Sequence, residues 1–306
     1  MNIRKIGQMI SVMAACATTQ VFATAYSVPP ANESLIGQVQ YISASSGDTV
    51  VTVAKHYNLG YNSLENANPR VDMNRAFSSG TPLQIPTQHL LPNQARQGIV
   101  INLPEMRMYY YLASGKVLTF PIGIGKIGKT IPITLTSITR KANNPSWTPP
   151  EDIREFNLAQ GVVLPKVMPP GPDNPLGPYA IYMRIPTYLI HSTIFPESVG
   201  KRASFGCIRM YESDIQTFFP IVEGGVPVAI VNAPVKVGWQ DNRLYVEAHP
   251  PLEEHSNNPN ASLSGMVHML SEASKNKPVL VDWQAVSYIA ESRDGIPHDV
   301  GMRIAN

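Results

Sequence analysis

Cysteine is scarce in this sequence, which has 2 in 306 residues, Cys16 and Cys207. Cys16 lies in an N-terminal stretch with the features of an export signal, so removal of that stretch leaves Cys207 as the one thiol. An intramolecular disulfide is then excluded. Two interpretations of Cys207 remain open at this point, a buried inert side chain and a reactive thiol.

Long apolar runs are also missing. Residues 9–17 are small and apolar, but this stretch is shorter than the roughly 18 residues that span a membrane as a helix. Two basic residues precede it, and Ala23-Thr24-Ala25 follows as a small-x-small cleavage pattern. The pattern predicts a signal peptide at residues 1–25 and a mature chain that begins at Tyr26. A loose lipoprotein box that ends at Cys16 is the alternative, and it would anchor the protein through a lipid.

The sequence has little excess charge. The formal net charge is +2, and removal of residues 1–25 leaves 22 basic against 22 acidic residues. A neutral protein has no field that attracts nucleic acid or anionic lipid, so we expect no nucleic-acid partner. What the chain does have is 28 prolines and 21 glycines with 15% charged residues, which favours a loop-rich, mostly β protein. Its length suits two domains.

Residues 38–87 have the pattern of a small unit with two strands and two helices. Apolar residues recur on one helical face at Val50, Val53, Ala54 and Tyr57, after the turn and N-cap Gly47-Asp48-Thr49. The predicted elements are a strand at 40–42, this helix, a second helix at 63–68 stopped by Pro69, and a strand at 83–85.

The words "SGDTVVTVAKHYNLGYNSLENANP" and "GTPLQIP" resemble the LysM family. We call residues 38–87 the LysM-like unit. The resemblance implies a βααβ fold that binds the glycan of peptidoglycan. The alternative is a spacer that keeps the fold and does not bind sugar.

Residues 97–233 alternate in the manner of strands. The predicted elements are strands at 99–103, 106–112, 117–124, 179–185, 188–190 and 226–231, and a short helix at 214–219 capped by Ser213-Asp214. Between them, residues 139–177 carry eight prolines, too many for a central strand or helix. A loop this long inside a compact domain is typical of a lid or a binding wall.

Residues 234–306 form a C-terminal extension. A hairpin is predicted around the turn Asp241-Asn242, and two helices are predicted at 262–274 and 282–292. The extension carries no catalytic signal. Cover, packing and partner contact remain open as its role.

The neighbours of Cys207 favour the reactive interpretation. A thiol attacks as the thiolate, so it needs a base or a polarising field. His191 follows the apolar strand "YLI", whereas the other six histidines lie in helix, linker or tail contexts. Gly206 permits a tight turn in which the backbone N–H groups of Gly206 and Cys207 point together at a developing oxyanion.

The residues around His191 and Cys207 resemble the YkuD-type L,D-transpeptidases. The motif is His191-Ser192-Thr193 followed by "SFGCIRM" at 204–210, and the likeness continues through "NNPSWTPPEDIR", "VMPPGPDNPLGPYAIYM", "GVPVAIVNAPVKVGW" and "LYVEAHPPL". The resemblance covers residues 97–253. Within the family, this sequence is most similar to the Gram-negative branch that attaches Braun lipoprotein or makes 3-3 cross-links. It implies a mostly β, sandwich-like catalytic domain at 97–233 with the Cys-His site in a groove.

The same resemblance implies roles for three residues. Cys207 is the acylated nucleophile and His191 is the general base. Ser192 orients the imidazole through its backbone carbonyl.

Four further residues are candidates for the substrate and oxyanion sites. They are Ser204, Gly206, Arg209 and Tyr179. For Arg209 the alternatives are contact with a substrate carboxylate and a structural ion pair. For Tyr179 they are the donor groove and the hydrophobic core.

The sequence departs from the family pattern at two places. Phe205 stands where a polar His or Ser is usual, and "KTIPITLTSI" replaces the usual turn. Neither change removes Cys207 or His191, so the resemblance still implies the same reaction. The two changes are expected to alter the substrate preference.

The resemblance implies a periplasmic enzyme that attacks a tetrapeptide stem and releases D-Ala. Its partners would be peptidoglycan stem peptides and glycan, and the amine acceptor would be diaminopimelate or a lysine-bearing outer-membrane protein. No metal or cofactor is expected. The alternatives are a non-catalytic wall-binding protein, which the intact Cys207 and His191 disfavour, and a cysteine peptidase of the NlpC/P60 type. Those peptidases place Cys before His in the chain, and here His191 comes first.

Overall fold

The computed structural model describes residues 24–129, 131–275 and 278–304. The strands in these ranges are β1 Thr24–Ser27, β2 Leu35–Gly37, β3 Gln40–Ser43, β4 Pro82–Ile85, β5 Gln88–Leu90, β6 Gly98–Asn102, β7 Arg107–Tyr111, β8 Lys116–Pro121, β9 Ile124–Gly125, β10 Thr134–Asn143, β11 Tyr179–Met183, β12 Leu189–Ser192, β13 Arg202–Ser204, β14 Ile208–Met210, β15 Pro227–Val231, β16 Val235–Gln240, β17 Arg243–Ala248, β18 Val279–Val281 and β19 His298–Arg303. The helices are α1 Val50–His56, α2 Tyr61–Ala67, α3 Glu151–Leu158, α4 Glu212–Ile221, α5 Leu263–Ser274 and α6 Trp283–Ser292. More residues lie in strands (32%) than in helices (23%), so the prediction of a mostly β protein is confirmed.

Most of the predicted signal peptide, including Cys16, lies outside the described residues. Its last two residues, Thr24 and Ala25, belong to β1, where they pair with Thr119 and Leu118 of β8. Cleavage after Ala25 would therefore shorten this edge strand by half.

The LysM-like unit has the predicted order of strand, helix, helix and strand. The Thr49 hydroxyl accepts from the Thr52 N–H and the Thr52 hydroxyl accepts from the Thr49 N–H, a capping box that begins α1. The predicted apolar face of α1 is buried in a core of its own, against Leu64, Leu83 and Ile85. β3 and β4 pair antiparallel and close the unit.

A nine-stranded sheet forms the centre of the molecule, in the order β1-β8-β7-β6-β15-β10-β11-β12-β14. All five residues of β6 and all five of β7 are buried because the sheet is covered on both faces. Ile99, Ile101 and Met108 pack into the main core with α4, and the alternate residues Val100 and Tyr109 pack into a second core beneath β2. β15 runs parallel to β6, and β12 runs parallel to β14.

The Pro-rich segment is more ordered than predicted. The prediction of a loop without strand or helix over 139–177 is wrong, because β10 extends to Asn143 and α3 occupies Glu151–Leu158. Pro149 and Pro150 precede α3, where the missing proline N–H costs nothing. The predicted cap of α4 is also wrong: the helix begins at Glu212 after Tyr211, without a side-chain cap.

The C-terminal extension is a second α/β layer with its own core. The predicted hairpin is β16–β17, and Asp241 has a positive φ at its turn. Both predicted helices are present, capped by the side chains of Ser262 and Asp282. β19 pairs with β17 and β18 pairs with β19, so the hairpin grows into a four-stranded sheet that the sequence did not reveal.

None of the helices in the described ranges is both long enough and apolar enough to cross a membrane.

Candidate active site

Cys207 lies in a tight turn between β13 and β14. Gly206 has φ +115°, a conformation that L side chains rarely adopt. A Cβ at this position would lie 2.7 Å from the Tyr188 ring and 3.1 Å from the Lys129 carbonyl oxygen. Glycine is therefore required at position 206. The turn directs the Cys207 thiol toward the Thr187 carbonyl oxygen, to which Sγ donates at 3.7 Å.

Ser204 holds the turn closed. Its hydroxyl donates to the Cys207 carbonyl oxygen at 2.6 Å and accepts from the Gly206 N–H at 3.0 Å. The prediction that the Gly206 N–H points at an oxyanion is therefore corrected, because Ser204 already occupies that donor. The backbone N–H of Cys207 remains as the donor of this turn nearest the thiol.

His191 lies on β12, beside the strand that follows Cys207. β12 and β14 run parallel with His191 opposite Arg209, and the same register continued by two residues sets Leu189 opposite Cys207. Side chains directly opposite each other on neighbouring strands lie on one side of the sheet, so His191 and Arg209 project together. Cys207 lies one residue before β14, and the charge of Arg209 acts on the pKa of both His191 and Cys207. His191 is only 4% exposed, and β12 continues one residue beyond it to Ser192.

Ser192 contacts His191 through its backbone. The Nδ1 atom of His191 lies 2.5 Å from the Ser192 carbonyl oxygen. Since a carbonyl only accepts, Nδ1 carries the hydrogen, and the other ring nitrogen, Nε2, is left as the basic atom. The Ser192 hydroxyl is itself buried, donating to the Leu176 carbonyl oxygen at 2.8 Å and accepting from the Tyr179 N–H at 3.2 Å.

Burial favours the neutral form of both His191 and Cys207. Burial, with Arg209 second, lowers the pKa of His191 to about 4, against hydrogen bonds to Ser192 and Leu176 that raise it. Burial also raises the pKa of the Cys207 thiol, which the Leu189 backbone and Arg209 partly oppose. At neutral pH the site therefore holds a thiol and a neutral imidazole, which is the arrangement for general-base activation rather than a preformed ion pair.

Arg209 is half-buried, and its Nε has no hydrogen-bond partner among the described residues. No salt bridge within the described ranges involves it. Its guanidinium lies 5.9 Å from the centre of the Phe195 ring. This cation lies two residues from Cys207, and its charge lowers the pKa of the thiol.

Tyr179 contributes its backbone rather than its ring. The ring packs on Phe219 with 4.9 Å between centroids and joins the edge of the main core. Its N–H holds the Ser192 hydroxyl. The side chain thus follows the core alternative, and the residue reaches the site through Ser192.

Both departures from the family pattern lie against the Cys207 turn. Phe205 contacts Phe156 of α3, so the Pro-rich segment lies beside the turn that carries Cys207, and its role as a lid or a binding wall stays a prediction. Lys129, the first residue of the second departure, packs its carbonyl against Gly206, while Ile131 is buried in the main core. The two departures shape the surroundings of the thiol and leave the thiol itself in place.

Sequence reasoning missed the two residues whose backbones contact the thiol, Thr187 and Leu189. A backbone contact carries no signal in residue type. The strand register is the property that brings these atoms to Cys207, and it appears only in the folded sheet.

A buried ionic cluster joins β5, the catalytic domain and the C-terminal extension, and the sequence did not reveal it. His89, Glu105 and Glu247 place possible ligand atoms within 4.8 Å of one another. The ammonium of Lys236 already lies between the carboxylates, 2.9 Å from Glu105 and 2.7 Å from Glu247. The lysine takes the position that a cation would need, so these residues do not fit a metal.

Comparison with known proteins agrees with the geometry. Residues 96–230 match the YkuD family, described as the L,D-transpeptidase catalytic domain. The chain is 38% identical over 286 residues to the probable L,D-transpeptidase YcfS of Escherichia coli K12, covering 91% of this chain and 88% of that protein. It is 40% identical over 248 residues to the probable L,D-transpeptidase YbiS of the same strain, covering 79% of each.

Among solved structures, the catalytic domain of an E. faecium L,D-transpeptidase is similar with a TM-score of 0.35 and 22% identity, over 45% of this chain and 99% of that one. The match to YcfS extends over 91% of the chain, well beyond the residues that match the family model. On that ground the protein belongs to the YkuD family of L,D-transpeptidases, which are enzymes.

Proposed function

We propose that this protein is a peptidoglycan L,D-transpeptidase in which Cys207 is the nucleophile and His191 the general base. One observation carries the proposal. β12 and β14 place His191 opposite Arg209, two residues from Cys207, the Arg209 charge acts on the pKa of both groups, and Ser192 holds the hydrogen of His191 on Nδ1. A neutral imidazole with its hydrogen on Nδ1, near a thiol, is the arrangement that activates a cysteine.

The acylation step follows from these positions. Nε2 of His191 takes the thiol proton as Sγ bonds to the carbonyl carbon at the L-centre of diaminopimelate in a tetrapeptide stem. The carbonyl π electrons move to oxygen, and the Cys207 N–H donates to that oxyanion. When the oxyanion collapses, the C–N bond breaks and His191 returns the proton to the leaving amine of D-Ala, which leaves a thioester on Cys207.

Deacylation reverses the roles. An acceptor amine attacks the thioester carbon and gives a proton to His191, and Sγ leaves as the thiolate, which takes the proton back. The product is a new amide, and the thiol and neutral imidazole are restored. Arg209 is a half-buried cation two residues from Cys207, and we assign to it the binding of a carboxylate of the stem.

The acceptor is an amine of either diaminopimelate, which gives a 3-3 cross-link, or a lysine of an outer-membrane protein. We propose that the reaction takes place in the periplasm after removal of the signal peptide, and that the LysM-like unit binds wall glycan. Muropeptide mass spectrometry of a deletion strain tests the acceptor: loss of 3-3 linked dimers indicates the first, and loss of peptide-linked protein indicates the second.

The nucleophile is tested by mass spectrometry of the purified protein with a carbapenem-type β-lactam, whose strained carbonyl replaces that of the stem. An E. faecium L,D-transpeptidase has been solved acylated by ertapenem. The wild-type protein should gain one adduct, on the peptide that contains Cys207, and Cys207→Ala should gain none. A full adduct on Cys207→Ala would refute the assignment.

A further inference from the structure

The LysM-like unit is attached to the catalytic sheet by more than a linker. α2 begins after Gly60, which has no side chain to accept the free N–H groups of the first helical turn. The acceptors come from the catalytic part of the chain instead. The Tyr61 N–H donates to the Val199 carbonyl oxygen at 3.0 Å, and the Asn62 N–H donates to the Gly200 carbonyl oxygen at 3.2 Å.

This contact is too close for side chains. A Cβ on Gly60 would lie 2.7 Å from the Gly200 Cα, and a Cβ on Gly200 would lie 2.2 Å from the Tyr61 nitrogen. Gly200 also has φ +80°. Beside this pair, the Lys201 ammonium lies 3.5 Å from the centre of the Tyr61 ring. Two glycines therefore bring two backbones together at one point.

The same turn contacts the chain on the other side of Cys207. The Tyr211 hydroxyl donates to the Leu59 carbonyl oxygen at 3.1 Å. The Arg107 guanidinium, 1% exposed, donates to the Asn58 carbonyl oxygen at 3.1 Å. The Asn58 side chain donates to the Thr119 carbonyl oxygen at 2.9 Å. The Tyr211 and Arg107 donors are buried, so removal of the turn would take one acceptor from each of them, and the Thr119 carbonyl oxygen would lose its Asn58 donor.

Backbone hydrogen bonds continue from the contact to the catalytic turn. The Gly200 N–H donates to the Ile122 carbonyl oxygen, and the Ile124 N–H donates to the Lys201 carbonyl oxygen, both at 3.0 Å. The Lys126 N–H then donates to the Ser204 carbonyl oxygen at 2.9 Å. Ser204 is the residue whose hydroxyl holds the Gly206–Cys207 turn.

We infer that residues 58–62 of the LysM-like unit form a positioning element of the active site, which fixes the segment that carries Cys207 at both of its ends, Val199–Gly200 and Tyr211. The inference rests on the proposed role of Cys207 as nucleophile. Residues 58–62 then position the segment that carries Cys207, whereas the rest of the LysM-like unit has no such role in this inference. If the Cys207 thiol moves away from His191, it loses its general base and its orientation toward the substrate carbonyl. Small displacements of a reacting atom have large effects on the rate.

The experiment compares Gly60→Ala with Gly80→Ala in the full chain. Both place one methyl group in the same unit, but the Cβ of residue 80 would meet nothing within 4 Å. Gly80 has φ +84°, so Gly80→Ala strains the unit without touching the contact and controls for general destabilisation. The measurements are the rate of β-lactam acylation of Cys207, the pH profile of its alkylation, and amide hydrogen exchange over residues 199–211.

In Gly60→Ala, the β-lactam should acylate Cys207 at least about tenfold more slowly than in the wild type. Amide exchange over residues 199–211 should be faster, and the pH profile of Cys207 alkylation should change. Gly80→Ala should stay near wild type in all three measurements. Equal rates and equal exchange in the two variants would overturn the inference. If Gly60→Ala does not fold, Tyr211→Phe decides, since it removes one hydrogen bond at the other end: slower acylation supports the inference and wild-type behaviour overturns it. An absent adduct in the wild-type protein would instead refute Cys207 as the nucleophile.

Discussion

The ring of Phe205 meets the ring of Phe156 edge to face, with 5.2 Å between the ring centroids. The ammonium of Lys126 lies 3.7 Å from the first centroid and 3.8 Å from the second. None of the eight residues of α3 is buried, so the helix depends on this cluster and on the ion pair between Lys129 and Asp152. The residue that departs from the family pattern thus fastens α3 to the turn that carries Cys207.

Phe205→His restores the usual residue of the family and weakens this contact. We expect acylation of Cys207 to change by less than about tenfold, which is roughly 1.4 kcal/mol, because the thiol and its base are untouched. Hydrogen exchange over residues 151–158 should become faster, and Phe156→Ala should reproduce that change. If neither variant alters the exchange of α3, the cluster does not hold the helix. A large gain in acylation would show that Phe205 attenuates the enzyme.

His191→Asn removes the base and keeps roughly the shape of the side chain. Acylation should slow by on the order of 10² to 10⁴ near neutral pH, measured as the rate of β-lactam adduct formation. His268→Asn is the matched control, because His268 is exposed on α5, far from the thiol in the chain, and should acylate as the wild type does. A His191→Asn protein that kept wild-type rates would show that another group takes the proton.

Alkylation of Cys207 by iodoacetamide should rise with pH through a midpoint above the usual range of a thiol, because burial raises the pKa of Cys207. The His191 pKa of about 4 predicts no second inflection near pH 6.5, since the imidazole is already neutral there. Arg209 lowers the pKa of the thiol, so Arg209→Gln should shift the midpoint to higher pH. A midpoint that moves down, or an inflection near pH 6.5, would contradict this account of the charges.

Lys236→Met should strongly destabilise the fold. It removes the cation between Glu105 and Glu247 and leaves two buried carboxylates facing each other, a loss that typically costs about 3 to 5 kcal/mol. Urea unfolding measures the effect. Lys275→Met is the control: Lys275 is exposed and 3.7 Å from Glu272, so the loss should stay below about 1 kcal/mol. Equal stability of the two variants would mean that the buried cluster contributes little.

The sequence predicted the elements that depend on neighbours in the chain. The Thr49 cap, the apolar face of α1 and the turn at Asp241 lie where local rules place them. Local patterns suffice for these because each cap or turn is completed within a few residues. The motif also singled out His191 and Cys207 as a pair before any geometry was known.

The wrong predictions concern features that local residue types do not determine. The prolines around α3 indicated a loop, yet the segment between them forms a helix. The Gly206 N–H donates to the Ser204 hydroxyl rather than pointing at an oxyanion, because the side-chain rotamer and the turn geometry bring the two groups together. β19 joined the C-terminal sheet by pairing with a strand more than fifty residues earlier. Such pairings are decided by burial and register, which no short window of sequence contains.

What the sequence by itself determined, then, is the family motif that contains His191 and Cys207 and several of the short segments that form helices, strands and turns. Tertiary structure decided the protonation state of these two side chains and the direction in which the thiol points. Burial makes His191 and Cys207 neutral, and the turn at residues 58–62 contacts the catalytic segment from more than a hundred residues away in the chain. The physical reason is that solvation and close packing depend on everything that surrounds a group, whereas a cap or a turn depends only on the residues beside it.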